Sequence, residues 1–205
     1  MKSAPNEIKI SGLVKVYTVG KDAKRALDGV SFSLTAGLYG LLGPNGAGKS
    51  TLINIITGSL APTKGVMLWE GRNVVKLGKK FRAILGYMPQ QQTLYDSFTG
   101  RRFLCYMAAL KELPAKSTED EVLRVAELVH LTQELDKNLS AYSGGMKQRL
   151  LAAAALMGRP KLIIMDEPTA GLDPKERVRL RETLALLAKD SVIIVATHVV
   201  SDVES

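Results

Sequence analysis

The stretch Gly43-Pro44-Asn45-Gly46-Ala47-Gly48-Lys49-Ser50-Thr51 constrains the fold of this chain more than any other. It has the form G-x-x-x-x-G-K-[ST], in which glycines let successive backbone N–H groups turn inward and form an anion-binding nest. Such a loop needs a buried strand ahead of it and a helix N-terminus behind it. Leu38-Tyr39-Gly40-Leu41-Leu42 is an apolar run fit for the strand, and Leu52-Ile53-Asn54-Ile55-Ile56 can continue a helix that starts near Gly48. A strand–loop–helix unit with phosphate-binding geometry is therefore expected. Lys49 should reach the β- and γ-phosphates of a nucleotide, the Ser50 hydroxyl should ligate Mg2+, and Thr51 can offer another hydroxyl.

The rest of the chain supplies a sheet for that unit. Lys161-Leu162-Ile163-Ile164-Met165 and Val192-Ile193-Ile194-Val195-Ala196 read as buried strands. Between them Asp173-Pro174 opens an amphipathic helix, with proline at the first helical position and Val178, Leu180, Leu184 and Leu187 as its apolar contacts. Apolar runs alternating with helices mean a parallel sheet covered on both faces. Upstream, Ile8-Lys9-Ile10 and Leu13-Val14-Lys15-Val16-Tyr17 read as two strands of a hairpin or meander. Val30, Phe32 and Leu34 alternate with Ser31, Ser33 and Thr35, the period of a half-buried strand, with turns at Asp28-Gly29 and Ala36-Gly37. The early chain is thus expected to form a small antiparallel sheet. Thr57 to Gly65 reads as a loop, Val66 to Trp69 as a strand, and Ile84 to Met88 as a strand stopped by Pro89.

From Asp96 to Arg159 the period is helical. Phe103, Leu104, Met107 and Leu110 share one face of a helix that Pro114 ends. Ser117-Thr118-Glu119-Asp120-Glu121 reads as a capping-box start, with a stripe of Val122, Val125, Ala126 and Val129 behind it. Met146 to Met157 is a third helix, capped by Ser143 or Gly144.

A chain of 205 residues fits one α/β domain and can bury a core without disulfides. The single cysteine, Cys105, lies in an apolar run and is expected to be a buried thiol. Met1 to Ile10 lacks the apolar core of a signal peptide, and Leu150 to Gly158 is too short to span a bilayer, so we expect a protein soluble by itself. The net charge of +8 suits an anionic surface, but the basic residues are scattered without interleaved aromatics, and no nucleic-acid partner is expected.

Further chemistry lies beyond the phosphate loop. The apolar strand before Asp166-Glu167 delivers two carboxylates at its C-terminal end, where ligands bind in parallel sheets. Asp166 is placed to hold Mg2+ and Glu167 to orient or deprotonate the attacking water. His198, just after the last strand, can contact the γ-phosphate. Ser143-Gly144-Gly145, opening a helix, is a second anion nest. One γ-phosphate cannot be fully cradled by two distant nests of one small domain. The economical solution is that the second nest serves the nucleotide of another copy, so that two subunits sandwich two ATP molecules.

These segments, in this order, resemble the ATP-binding cassette (ABC) transporter ATPase domain from about Ile8 to His198. Gly43 to Thr51 matches that family's Walker A, and Asp166-Glu167 its Walker B with the catalytic glutamate. Ser143-Gly144-Gly145 matches the signature, Gly171-Leu172-Asp173 the D-loop, and His198 the switch histidine. Gln90 in Met88-Pro89-Gln90 matches the Q-loop, which implies a catalytic and Mg2+-binding role for it alongside Ser50 and Asp166. Tyr17 sits where the family's aromatic stacks on adenine. In the signature Tyr142 stands for leucine and Met146 for glutamine, a form similar to that of bacterial multidrug and peptide-antibiotic exporter ATPases.

The resemblance implies an α/β fold: a phosphate-loop core with an N-terminal antiparallel β portion (1–94), an inserted helical subdomain (95–160) and the remainder of the core (161–205). Family members continue past the switch histidine with further strands and a helix, so a C-terminal part cut short at Ser205 is expected. It also implies an ATPase that dimerises around Mg-ATP and drives separate transmembrane permease subunits, as an exporter, from the cytoplasmic face of the cell membrane. The rival readings are a soluble ABC-type ATPase of DNA repair or translation and a phosphate-loop kinase for small molecules. The former usually carries two cassettes or a long coiled-coil insertion, and the latter leaves Ser143-Gly144-Gly145 without a role.

Overall fold

The computed structural model describes residues 5–19 and 22–198. The chain opens with two long antiparallel strands, β1 (Ile8–Val19) and β2 (Asp22–Leu34). The sequence pattern predicts two separate short strands in place of β1, and a turn at Asp28-Gly29. Instead β1 runs through Gly12, and Asp28-Gly29 lies inside β2. The pairing steps from Leu13 opposite Val30 to Lys15 opposite Leu27, so β2 carries one extra residue there, a bulge. A further register shift between Ile10 and Leu13 keeps Ile8, Ile10 and Leu13 all buried, although strict alternation would put Leu13 on the other face.

β3 (Gly37–Leu41) and α1 (Lys49–Ile56) bracket the glycine loop. β4 (Lys64–Trp69) pairs with β1 and with the short β5 (Arg72–Asn73). Two short helices come next, α2 (Val74–Leu77) and α3 (Lys79–Ile84), and then β6 (Leu85–Met88). Ile84, expected to begin a strand, therefore ends a helix. The helical block holds α4 (Gly100–Leu110), α5 (Ala115–Leu128) and α6 (Gly144–Leu156). Pro114 does separate the first two, but α5 begins directly behind it. The Ser117 and Thr118 hydroxyls donate back to the Pro114 carbonyl at 3.0 and 3.2 Å and do not start a helix of their own. β7 (Leu162–Asp166), α7 (Pro174–Leu187) and β8 (Val192–Ala196) complete the described chain.

The strands form an antiparallel sheet in the order β2-β1-β4-β5 and a parallel sheet in the order β3-β8-β7-β6. The parallel sheet is apolar on both faces because each face has its own cover. Ile163, Met165, Ile193 and Val195 point into one cluster with Leu104, Val125, Leu150 and Leu184 of α4 to α7. Leu162, Ile164, Val192 and Ile194 point into another with Leu52, Ile53, Ile55 and Ile56 of α1 and with Ile8, Ile10 and Trp69 of the antiparallel sheet. Each such fully buried aliphatic side chain contributes about 1.5–3 kcal/mol of transfer free energy. Leu110 and Val178, expected among the apolar contacts, are exposed, and Cys105 is half-buried rather than buried. Among the described residues no helix is long and apolar enough to cross a membrane.

Leu41 stands opposite Ala196, Ala196 opposite Asp166, and Met165 opposite Met88. The four parallel strands therefore end level with one another, and the loops leaving their C-terminal ends gather along one edge.

Candidate nucleotide site

A cleft of about 250 Å3 opens at that edge. It is lined by Asn45, Gly46, Gly48, Lys49, Ser50 and Thr51 after β3, by Gln90 after β6, and by Asp166 and Glu167 at the end of β7. The antiparallel sheet adds Tyr17, Lys24 and Ala26. Of the three consecutive glutamines, Gln90 lines the cleft and Gln91 and Gln92 do not.

The glycine loop is shaped by one close approach. Gly48 has φ +93°, and a Cβ on it would stand 2.6 Å from the Ala26 carbonyl oxygen and 3.1 Å from Leu27 Cδ2. Only glycine lets the loop press against β2 and still turn into α1. Lys49 folds under the loop, where its Nζ donates to the carbonyls of Gly43 and, at 3.1 Å, Pro44. The Ala47 N–H closes a turn onto the Pro44 carbonyl at 3.2 Å. Gly43, Pro44 and Ala47 thus build the loop from behind and do not line the cleft. Tyr17 stands at the rim, 38% exposed, with its hydroxyl 3.4 Å from Thr51 Oγ1 and Lys15 Nζ 5.4 Å from its ring centre.

Asp166 is buried at the strand end. Burial and, after it, the neighbouring Glu167 push its carboxyl up, while Lys49 pulls the other way. Ser50, Asp166 and Gln90 offer a hydroxyl, a carboxylate and an amide to one cleft. That all-oxygen donor set, with room left for phosphate oxygens and water, is what Mg2+ takes in phosphate sites. Among the described residues no group of three His, Cys, Asp or Glu side chains could hold a metal by itself.

Glu167 has φ +53°, a region that costs a residue with a side chain about 1–3 kcal/mol. Its carboxylate is held from the end of β8: Oε1 accepts from the His198 N–H at 3.2 Å and lies 2.8 Å from His198 Nδ1, while Thr197 Oγ1 donates to Oε2 at 3.4 Å. His198 therefore reaches the site through Glu167, and it does not line the cleft. Ser143 caps α6, its Oγ accepting from the Met146 N–H at 3.2 Å. Ser143, Gly144 and Gly145 do not line the cleft either. Asp173 caps α7 in the same way, accepting from the Glu176 N–H at 2.9 Å, with Pro174 at the first position as expected.

Three contributors lie outside the motif reading. Lys24 reads as a scattered surface base, but it stands opposite Tyr17 in the β1–β2 register, a neighbour visible only once strand pairing is known. Thr197, beside His198, carries no motif signal of its own. Gln148, within the segment marked by Ser143-Gly144-Gly145, donates to the Glu167 carbonyl at 2.8 Å.

Fold and cleft together define a phosphate-loop nucleoside triphosphatase with an inserted helical block. Residues 27–170 match the ABC transporter family. The chain belongs to that family, and its fold is the family's ATPase domain. It is 39% identical over 199 residues to ABC transporter A family member 1 of Dictyostelium discoideum, with 95% of this chain and 23% of that protein covered. To ABC transporter A family member 4 of Arabidopsis thaliana it is 37% identical over 208 residues, covering 98% of this chain and 22% of the relative. The chain thus spans under a quarter of the length of these curated relatives, whose names do not include the bacterial exporter subgroup. The dimeric structure of MJ0796, a bacterial ABC transporter cassette, superimposes with a TM-score of 0.85 at 25% identity, over 96% of this chain and 90% of that one. A post-hydrolysis structure of the same cassette, bound to ADP and Pi, gives a TM-score of 0.82 at 25% identity, with 96% and 90% covered.

Proposed function

We propose that this domain is one of a pair that closes around Mg-ATP and uses hydrolysis to drive a substrate across a membrane through transmembrane permease segments. The observation that carries this reading is the level ending of the four parallel strands. It gathers Lys49, Gln90, Asp166 and Glu167 on one cleft, while the second anion nest at Ser143 stays outside it. A nest outside its own cleft is suited to the γ-phosphate held by another cassette. The dimeric form of MJ0796 supports the pairing, and the A-family transporter names support the membrane role. On this reading the domain works at the cytoplasmic face, and the helical block (95–160) and the Gln90 segment face the permease. Export is the favoured direction.

In the proposed reaction water attacks the γ-phosphorus, and the bond from that phosphorus to the β-bridging oxygen breaks. Glu167 orients the water and takes its proton, Lys49 offsets charge on the β- and γ-phosphates, and ADP and phosphate leave. Ser50, Asp166 and Gln90 would hold Mg2+, which when bound neutralises charge on the phosphate oxygens. Tyr17 offers its ring to the adenine.

The variant Glu167→Gln tests the assignment. It keeps the side-chain shape and removes the base, so turnover should fall by about a hundredfold or more while ATP binding persists. ATP-dependent dimers should accumulate in light scattering. Hydrolysis at the parent rate would remove Glu167 from the mechanism, and a variant that stays monomeric with Mg-ATP would remove the pairing.

A further inference from the structure

The main chain of Glu167 is held as firmly as its carboxylate, and part of that hold comes from the signature helix. The Glu167 N–H donates to the Ala196 carbonyl at 2.8 Å. Its carbonyl accepts twice, from the Ala170 N–H at 3.2 Å, which closes the next turn, and from Gln148 Nε2 at 2.8 Å. Because the residue sits at φ +53°, its peptide planes keep their orientation only while these partners do. A turn of those planes re-aims the carboxylate.

Gln148 stands on α6 four residues after Gly144, one helical turn beyond the nest and on the same face. The next residue pins the helix. Arg149 Nη1 donates to the Val129 and His130 carbonyls at 3.1 and 2.8 Å and pairs with Glu176 of α7 at 3.3 Å. Gln148 thus lies between the nest at the first turn of α6 and the residue that fastens the helix to its neighbours.

We infer that Gln148 is a positioning residue that ties the signature helix to the main chain of Glu167, so that an anion seated on the nest at Ser143 sets the aim of this subunit's own carboxylate. The inference rests on the proposed pairing of two cassettes around ATP. Gln148 does not line the nucleotide cleft. It makes hydrolysis at one site conditional on occupancy of the other by fixing which way one peptide group points.

The test uses the full-length protein and the variants Gln148→Leu, which removes the donor, and Gln148→Glu, which keeps the shape but opposes a carboxylate to the Glu167 carbonyl. Gln148 is only half-buried, so Gln148→Glu is tolerated by the fold even where Gln148→Leu is not. Both should lower kcat by about tenfold or more with KM for ATP within about twofold and the melting temperature within a few degrees of the parent. Parent kcat in either folded variant overturns the inference. So does a fall in kcat that comes with a matching rise in KM and early melting, since that is what a merely structural role gives. Glu167→Gln is run alongside. If it fails to dimerise with Mg-ATP, the pairing itself is wrong, whereas a dimer there combined with parent kcat for Gln148→Leu removes only the role of Gln148.

Discussion

His198 Nδ1 lies 2.8 Å from Glu167 Oε1, and the same oxygen accepts the His198 main-chain N–H at 3.2 Å. The side chains differ sharply in environment, that of His198 being 73% exposed against 13% for that of Glu167. The ring is thus an outer brace on an inner group. His198→Ala keeps the main-chain donor and Thr197 but loses the ring. ATP binding should stay within about twofold of the parent, and, on the proposed mechanism, kcat should fall by about a hundredfold, because the carboxylate could then rotate out of line with the attacking water. Equilibrium titration with a fluorescent ATP analogue and steady-state phosphate release measure the two. An unchanged kcat would mean that the brace has no bearing on hydrolysis.

Gly48 gives the second prediction. A methyl group there would stand 2.6 Å from the Ala26 carbonyl oxygen, a main-chain atom of β2 that cannot swing aside. The φ of +93° adds strain for any side chain. Gly48→Ala should destabilise the fold by about 1–3 kcal/mol and push the loop off β2. ATP affinity should drop by more than about tenfold, since the nest and Lys49 move together. Thermal melting and nucleotide titration on one preparation decide it, and parent-like affinity would show that the loop tolerates the contact.

The phosphate loop, Asp166, Glu167 and the helix cap at Ser143 are legible because their chemistry is local. A motif of consecutive residues carries its own geometry, and a strand of five apolar residues bounded by polar ones states its own burial. The hidden features are non-local. Lys24 joins the cleft only through its register with Tyr17, and the bulges that set this register leave no signature beyond Gly12 and Gly29. The helices α2 and α3 are too short to show a period, and Ile84 reads equally well as either element. The capping-box pattern at Ser117 fails for a different reason. Pro114 can stand at the helix entry itself, so the hydroxyls three and four residues on fall inside the first turn and bond backwards. Gln148 lies in a segment marked for its glycines, and nothing in the sequence tells which carbonyl a helical glutamine will reach.

Tyr17 lines the cleft, with its hydroxyl 3.4 Å from Thr51 Oγ1. If the ring face is what binds the base, the hydroxyl is dispensable. Tyr17→Phe should then bind ATP within about twofold of the parent, and Tyr17→Ala should lose about 3- to 10-fold, the worth of one aromatic stacking contact at a half-exposed site. The order of the two variants matters more than the size of the loss. Weaker binding by Tyr17→Phe than by Tyr17→Ala would assign the affinity to the hydroxyl and not to the ring.

Tyr142, which replaces the leucine usual in the signature, gives a prediction independent of nucleotide. Its ring is buried, and its hydroxyl donates to the Glu134 carbonyl at 2.7 Å. Gly100 makes room for it, since a Cβ there would come within 2.2 Å of the hydroxyl oxygen. Burial first, then the nearby carboxylates of Glu134 and Asp136, pushes the phenol from 10.0 up to about 12. Below pH 10 the phenol is neutral in both the folded and unfolded chains, and its hydrogen bond contributes in full. Between about 10 and about 12 the unfolded chain gives up this proton while the folded one retains it, so stability falls as pH rises through that window. Tyr87 is shifted in the same direction, so the comparison must be with Tyr142→Phe, in which Tyr87 is unchanged. At about pH 7 to 9 the variant should be less stable by about 1 kcal/mol, the net worth of the lost hydrogen bond. Above about pH 10 the gap should close, because only the parent has this phenol to titrate. Chemical denaturation of both proteins from neutral pH to about pH 11 measures the gap, and parallel curves through the alkaline range would mean that the Tyr142 phenol is not buried as described.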